Sequence, residues 1–433
     1  MADFTVHVLD VGAHNYGDSL LCIFGTRTIL IDGGTPRSGR PSSSVVAGED
    51  VAHRPIQEQM RALLGQATGP VAVDLLIVTH CHSDHMGCLP GLVAAGDLTC
   101  TWALLADPQL GYGITGEEDE PPSADAMSPQ DRLWLALREE PLFGASDEVI
   151  AAFIEDAASE YEAYVTLVNT LRDRLGARCV LYRGLTEEES PGLKALLTAF
   201  KSTGLHIYGP TADLLLACAE RLLGRSEDLI ADAVEDSPAT LVEAYRNAID
   251  RIAAADAEDS TDGAAVNCQS LVMRVGPAAH RVLLTGDMQF ASPAIGTSGT
   301  AEVRALADLV KADAPFACVK LSHHGATNGQ NKSLLTAWAA KQCIISTGST
   351  SGMHPTGATL TALKSLAAGT QWARVDMNGR CTFSVTGNAR ALAVERLDLN
   401  DDTPAAERYD TALKVWERVV SDIAKRIGSK KKK

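Results

Sequence analysis

Aromatic residues are scarce, at 5% of 433 positions, and basic residues are outnumbered, with 38 Lys and Arg against 55 Asp and Glu. Any core must therefore come mainly from Leu, Val, Ala and Ile, and a hydrophobic share of 45% is enough for a large one. A net charge of −17 works against free binding of a polyanion unless basic residues cluster locally. The one dense basic cluster is KRIGSKKKK, residues 425–433, which reads as a solvated tail. No apolar run approaches the roughly 20 residues of a bilayer-spanning helix. The start MADFTVHVLD has no basic stretch followed by an apolar one, so it reads as a strand rather than a signal peptide. The expectation is a soluble, cytoplasmic protein with no membrane partner. The 10 cysteines form no CxxC pair. Several lie in apolar segments (Cys22, Cys218, Cys318, Cys343), which suits buried thiols better than a disulfide framework.

What is present is a β-rich beginning and a β-rich end with a helical middle. FTVHVLDV, DSLLCIFG and RTILIDGG read as consecutive strands. Residues 35–54 are polar and rich in Pro, Ser and Gly, and are expected to form a loop. IQEQMRALLGQ has helical spacing, VDLLIVTH reads as a short buried strand, MGCLPGLVAAG as a helix and CTWALLAD as a strand. Residues 112–264 are acidic and mainly helical, an expected insertion within a single domain spanning 1–433 and a candidate lid or protein-partner surface. Strand character returns at NCQSLVMRVG, RVLLTGDM, FACVKLSHHG and QCIISTG. A helix follows at HPTGATLTALKSLAA, then strands at TQWARVD and RCTFSVTG. Residues 404–433 are expected to be a C-terminal helix with the basic tail. The pattern predicts two mixed sheets packed together with helices outside.

VTHCHSDHMG, residues 78–87, carries the clearest chemistry. His80, His82, Asp84 and His85 fall within six consecutive residues at the end of an apolar strand. Imidazoles with a hard carboxylate are the ligand types of a divalent transition metal. His80 and His82 are two apart, so in an extended loop they leave the same face and can grip one ion. Asp84 and His85 are adjacent, and a turn can direct them at a second ion. Cys81 and Cys88 flank these residues and read as packing groups.

On these residues and on three further motifs, the chain resembles the metallo-β-lactamase superfamily. LIDGG (residues 30–34) resembles its first motif, LLTGD (283–287) the motif of a bridging aspartate, and LSHHG (321–325) the motif of a late histidine ligand. The order of VLDVGAHNYGDSLLCIF, NCQSLVMRVG, LLTGD, LSHHG and MHPTGATLTAL resembles the metallo-β-lactamase domains of ComEC-type DNA-uptake proteins and related soluble hydrolases. These include phosphodiesterases of the choline-esterase type. The resemblance implies an αββα four-layer sandwich of the α/β class, interrupted by the helical insertion. It implies two divalent ions, zinc before manganese. His80 and His82 would hold the first, and Asp84, His85 and one of His323 and His324, with His324 preferred, the second. Asp287 would bridge them. His323 and His354 become candidates for proton transfer or leaving-group contact, and Asp84 for orienting the attacking water. Asp10, Asp18 and Asp32 read as structural, and Thr327 and Asn328 as turn or substrate contacts. Members often carry a further histidine between the cluster and the bridging aspartate. Only His206, in a strand, and His280, in a turn, stand there. The implied activity is metal-dependent hydrolysis of a phosphodiester, nucleic acid included. The alternatives are an ester, thioester or amide hydrolase, or a partner-dependent subunit of a larger complex.

Overall fold

The structure is a computed structural model that describes residues 3–13, 16–112, 127–139, 146–222, 240–254, 262–349, 351 and 354–400. Strands β1 (Phe4–Val8), β2 (Leu20–Phe24), β3 (Arg27–Ile31), β6 (Val71–Val78), β7 (Leu98–Ala106) and β8 (Cys179–Tyr182) join β15 (Cys381–Thr386) and β16 (Ala389–Val394) in an eight-stranded sheet. Its order is β16-β15-β1-β2-β3-β6-β7-β8. A six-stranded sheet runs β14 (Gln371–Arg374), β13 (Gln342–Ile345), β12 (Cys318–Lys320), β11 (Val282–Leu284), β10 (Val272–Val275), β9 (His206–Gly209). Both sheets mix antiparallel and parallel pairs. β3, β6, β7 and β8 run parallel in the first sheet, and β11 to β14 in the second.

Strand periodicity explains the layering. Alternate residues of a strand leave opposite faces of the sheet. Phe4, Val6, Val8, Cys22, Ile29, Ile31, Leu75 and Ile77 pack in one buried cluster with Met273, Val275, Val282, Leu284 and Ile344 of the other sheet. Their neighbours Leu30, Leu76 and Val78 face outward and pack with Ile56 and Met60 of the helix Ile56–Leu64, and with Leu89 and Val93 of the helix Leu89–Ala94. On the far side, Leu283, Val319 and Cys343 pack with Val303, Leu306 and Val310 of the helix Gly296–Ala312. Helix, sheet, sheet and helix thus form four layers. This is the αββα arrangement of the α/β class that the sequence resemblance implies. The acidic middle of the chain contributes the helices Pro129–Ala136, Asp147–Leu175 and Leu241–Ala254.

Some local expectations differ from the structure. Residues 35–54 are not all loop, because β4 (Ser42–Val46) and β5 (Glu49–His53) form a two-stranded hairpin there. Its strands read SSSVV and EDVAH, too polar to signal a sheet, yet Ala47 and Gly48 take φ of 51° and 86°, as a two-residue hairpin turn requires. The helix Pro191–Ala199 and strand β16 also went unread. NCQSLVMRVG is not all strand, since Asn267 ends a short helix, Asp262–Asn267, before β10 begins. Residues 113–126, 140–145, 223–239 and 255–261 of the expected insertion, and the expected helix and tail at 404–433, lie outside the described residues. None of the described helices is long and apolar enough to cross a membrane. All 10 cysteines are free thiols and most are buried.

Candidate metal centre

Three strands end at one place. β6 runs into His80–His85, β11 into Asp287 and β12 into His323–His324, all at the carboxyl ends of parallel strands, where open α/β sheets present their sites. Asp32 forms the floor. Its Oδ1 accepts from the Thr79 amide at 2.8 Å, and its Oδ2 accepts from Thr79 Oγ1 at 2.7 Å and meets His85 Nδ1 at 2.8 Å. This holds the His85 ring with Nε2 turned inward, the usual division of labour between a carboxylate and a metal-binding imidazole. Asp32 itself takes φ of 59°, so the chain turns sharply beneath the loop.

The inward atoms converge in two sets. His80 Nε2 and His82 Nδ1 lie 3.2 Å apart. Beside them, His324 Nε2 lies 2.8 Å from Asp84 Oδ2 and 2.9 Å from Asp287 Oδ2, while His85 Nε2 lies 3.2 Å from Asp287 Oδ2 and 3.6 Å from Asp84 Oδ2. One donor atom from each of Asp18, His85, Asp287 and His324 fits within 4.8 Å of the others. The outer nitrogens have separate partners. His82 Nε2 meets the Arg138 carbonyl at 2.8 Å, His80 Nδ1 meets Ser270 Oγ at 3.1 Å, and His324 Nδ1 meets the Ser346 carbonyl at 2.9 Å.

These residues fit a divalent ion. Asp84 Oδ2, His85 Nε2, Asp287 Oδ1 and His324 Nε2 are buried, and none makes a hydrogen bond of proper geometry. Orphaned buried polar atoms are costly, and an ion bound among them satisfies several at once. The electrostatics agree. Burial opposes charge on His85 and His324, but Asp287 and Asp84 around the first, and Asp287 and Asp18 around the second, outweigh it and lift both well above the ordinary histidine range. Against the same burial, His324 and His85 hold Asp287 well below the carboxylate range. The carboxylates thus favour positive charge among them, which a bound divalent cation would supply. Burial, then the neighbouring His85 and His82, pushes His80 well below the ordinary range, leaving a neutral, ligand-competent ring.

Residues 16–141 match the metallo-beta-lactamase superfamily in a comparison with protein families. The chain carries a metallo-beta-lactamase superfamily domain. No curated protein matched the chain. The matched residues end within the acidic middle of the chain, while Asp287 and the His323–His324 pair lie beyond them.

The other expected site residues are placed as follows. His323 and His324 both adopt left-handed backbone, φ 49° and 50°, so consecutive rings point apart. His324 turns into the cluster, and His323 turns to Asn328 Oδ1 at 2.8 Å and Asn267 Nδ2 at 3.3 Å. The His354 ring is buried with its centroid 5.4 Å from that of His323. His206 is exposed on β9 against Tyr208, and His280 is buried at the end of the 3-10 turn Ala278–His280, where its Nδ1 accepts from Arg390 Nε, so neither is part of this cluster. Cys81 and Cys88 are buried packing groups; Cys88 Sγ donates to the Gly33 carbonyl at 3.0 Å.

Two members of the cluster escaped the sequence reading. Asp18, read as structural, contributes a carboxylate 3.4 Å from His324 Nδ1. Lys320 is buried with its ammonium on Asp18, 3.6 Å from Asp287 Oδ1 and 3.1 Å from the Gly286 carbonyl. A lysine inside the apolar strand FACVKL, just before SHHG, was the signal for it. The helical middle also reaches the site. The Arg138 carbonyl holds His82, and Glu139 Oε2 accepts from Ser83 Oγ at 2.9 Å, so the end of the Pro129–Ala136 helix docks on the metal loop.

Proposed function

We propose that the chain is a metal-dependent phosphodiesterase, nucleases included, that uses two divalent ions, zinc before manganese. The observation that carries the reading is the convergence of orphaned donors from Asp84, His85, Asp287 and His324 beside the His80–His82 pair. Paired ions about 3.5–4 Å apart suit attack on a phosphoryl group, because both attacking and leaving oxygens need charge stabilisation. When bound, such ions lower the pKa of a water so that hydroxide exists near neutral pH.

The chain's own residues supply the rest. Asp84 accepts a hydrogen bond from the attacking water and orients it. In this reading His323, held between Asn267 and Asn328, or His354 beside it hands a proton to the leaving oxygen. Tyr16 stacks on His324, ring centroids 5.3 Å apart, and shields the cluster from bulk water on that side.

The net charge of −17 favours a second reading, hydrolysis of an ester, thioester or amide, because an acidic protein attracts polyanions poorly. The test incubates metal-loaded protein with single- and double-stranded DNA, RNA, bis-p-nitrophenyl phosphate and a thioester panel. Turnover of a phosphodiester, lost in His323→Ala or His354→Ala, is the expected result. Turnover of thioesters with no phosphodiester cleaved overturns the first reading in favour of the second.

A further inference from the structure

The end of β1, the hairpin β4–β5 and Ser349 meet at a second polar cluster that contains none of the metal-site residues. Asp10 Oδ2 meets His53 Nδ1 at 2.9 Å, and His53 Nε2 meets Ser44 Oγ at 2.7 Å. Asp10 and His53 are 5% and 3% exposed, and Ser44 is half-buried.

The hydrogen-bond directions decide what this cluster can do. Asp10 is fixed on every side. Gly12 N–H donates to its Oδ1 at 3.0 Å, Arg396 Nη2 donates to its Oδ2 at 3.2 Å, and Gln59 clasps its backbone N–H and C=O at 3.0 and 2.7 Å. Despite burial, His53 and Arg396 keep this carboxyl below its usual range, so it is ionised and accepts the Nδ1 proton of His53. That leaves His53 Nε2 as an acceptor. Two hydroxyls face that nitrogen: Ser44 Oγ at 2.7 Å and Ser349 Oγ at 3.2 Å, and Ser349 Oγ also lies 2.8 Å from Ser44 Oγ and 3.3 Å from the Gly12 carbonyl, so Ser44 is the nearer donor to Nε2. A serine hydroxyl within hydrogen-bond distance of an imidazole that is itself oriented by a buried carboxylate is the constellation of an activated hydroxyl nucleophile, recognised by geometry and not by chain order.

We propose that Ser44 is a second nucleophile, activated by His53 and Asp10, that accepts an acyl group from an activated ester. In that step the Ser44 Oγ–carbon bond forms and the Oγ proton passes to His53 Nε2. The carbon–oxygen bond to the leaving group then breaks, and His53 returns the proton to the departing oxygen. The products are acyl-Ser44 and the free alcohol, with no oxidant or reductant consumed. Water attacks acyl-Ser44 by the same route and releases the acid. The hairpin that the sequence concealed is what brings Ser44 and His53 together.

The test uses the full chain in excess EDTA, which separates it from metal-dependent chemistry. A fluorophosphonate probe is added, and the labelled peptide is mapped by mass spectrometry. Loss of fluoride with formation of a phosphorus–oxygen bond at Ser44 is expected. It should be absent in Ser44→Ala and at least tenfold slower in His53→Gln. Release of about one p-nitrophenol per chain in a burst from p-nitrophenyl acetate, missing in Ser44→Ala, is the matching result. Absence of label on Ser44, or equal labelling in a His53→Gln protein with an unchanged circular dichroism spectrum, overturns the proposal and leaves the cluster as a pin for the hairpin. Either outcome is independent of the metal-site reading.

Discussion

Lys320→Met removes the internal cation of the metal cluster while keeping the length of its aliphatic stem. The lysine is 2% exposed, its ammonium sits on Asp18 and 3.6 Å from Asp287 Oδ1, and it donates to the Gly286 carbonyl at 3.1 Å. Burial disfavours its charge, but Asp18 and Asp287 outweigh this and raise its pKa above the ordinary lysine value, so it is charged throughout the working range. Breaking a buried pair by deleting one partner costs about 3–5 kcal/mol, because the other charge stays behind uncompensated. The entropy of unfolding scales as about 2.1 cal/mol/K per residue, or roughly 0.9 kcal/mol/K for this chain, so a loss of about 4 kcal/mol lowers Tm by roughly 4 °C. A divalent ion in the same cluster compensates Asp287 from the other side and no longer faces a neighbouring ammonium. The deficit should therefore shrink in metal-loaded protein, with each tenfold gain in metal affinity recovering about 1.4 kcal/mol. Differential scanning fluorimetry in EDTA and in excess zinc, with isothermal titration of zinc into both proteins, measures both effects. An unchanged Tm in EDTA, or an equal loss with and without zinc, refutes the view of Lys320 as a counter-ion that the metal supplements.

Two further outcomes follow from the structure. Gly87 closes the metal loop, and a Cβ there would meet the Gly34 carbonyl oxygen at 2.2 Å and Thr35 C at 2.3 Å, both backbone atoms that cannot swing away. Gly87→Ala should lose about 3 kcal/mol and weaken zinc binding at least tenfold; a Tm and affinity within error of the parent contradict this. His7 lies between the hydroxyls of Thr5 and Thr382 at 2.9 Å each, and burial, with Arg380 adding to it, lowers its pKa to about 4. Folding is thus favoured by a neutral ring above the unfolded value of about 6.5, and stability is lost as pH falls toward 4, because only the unfolded chain takes up the proton. Urea unfolding at pH 7 and pH 4.5 should show His7 contributing roughly 2.5 kcal/mol to the difference. His7→Gln should remove that share, and an unchanged difference between the two pH values would contradict it.

The parts legible in the sequence were those with a strong local signal. Apolar strands such as VDLLIV and RTILI announce themselves, and HxHxDH marks candidate ligands by spacing alone. Long-range partners were a different matter. Asp287 and His324 were reachable only through motif resemblance, since nothing local says that β11 and β12 end beside β6. Asp18 looked like a turn residue because its chemistry comes from Lys320 and His324, some three hundred positions away. The polar hairpin at 42–53 hid because it packs through serines and a histidine instead of apolar side chains, and Asp10, Ser44 and His53 are unremarkable until the backbone brings them together.

The account rests on a divalent metal at the His85–His324 cluster. Inductively coupled plasma mass spectrometry of the purified protein and of His324→Ala, each loaded with zinc and desalted, tests it most directly. The parent should retain at least one zinc per chain and His324→Ala should lose most of it. Equal metal content in the two proteins, or none retained by the parent, would contradict it.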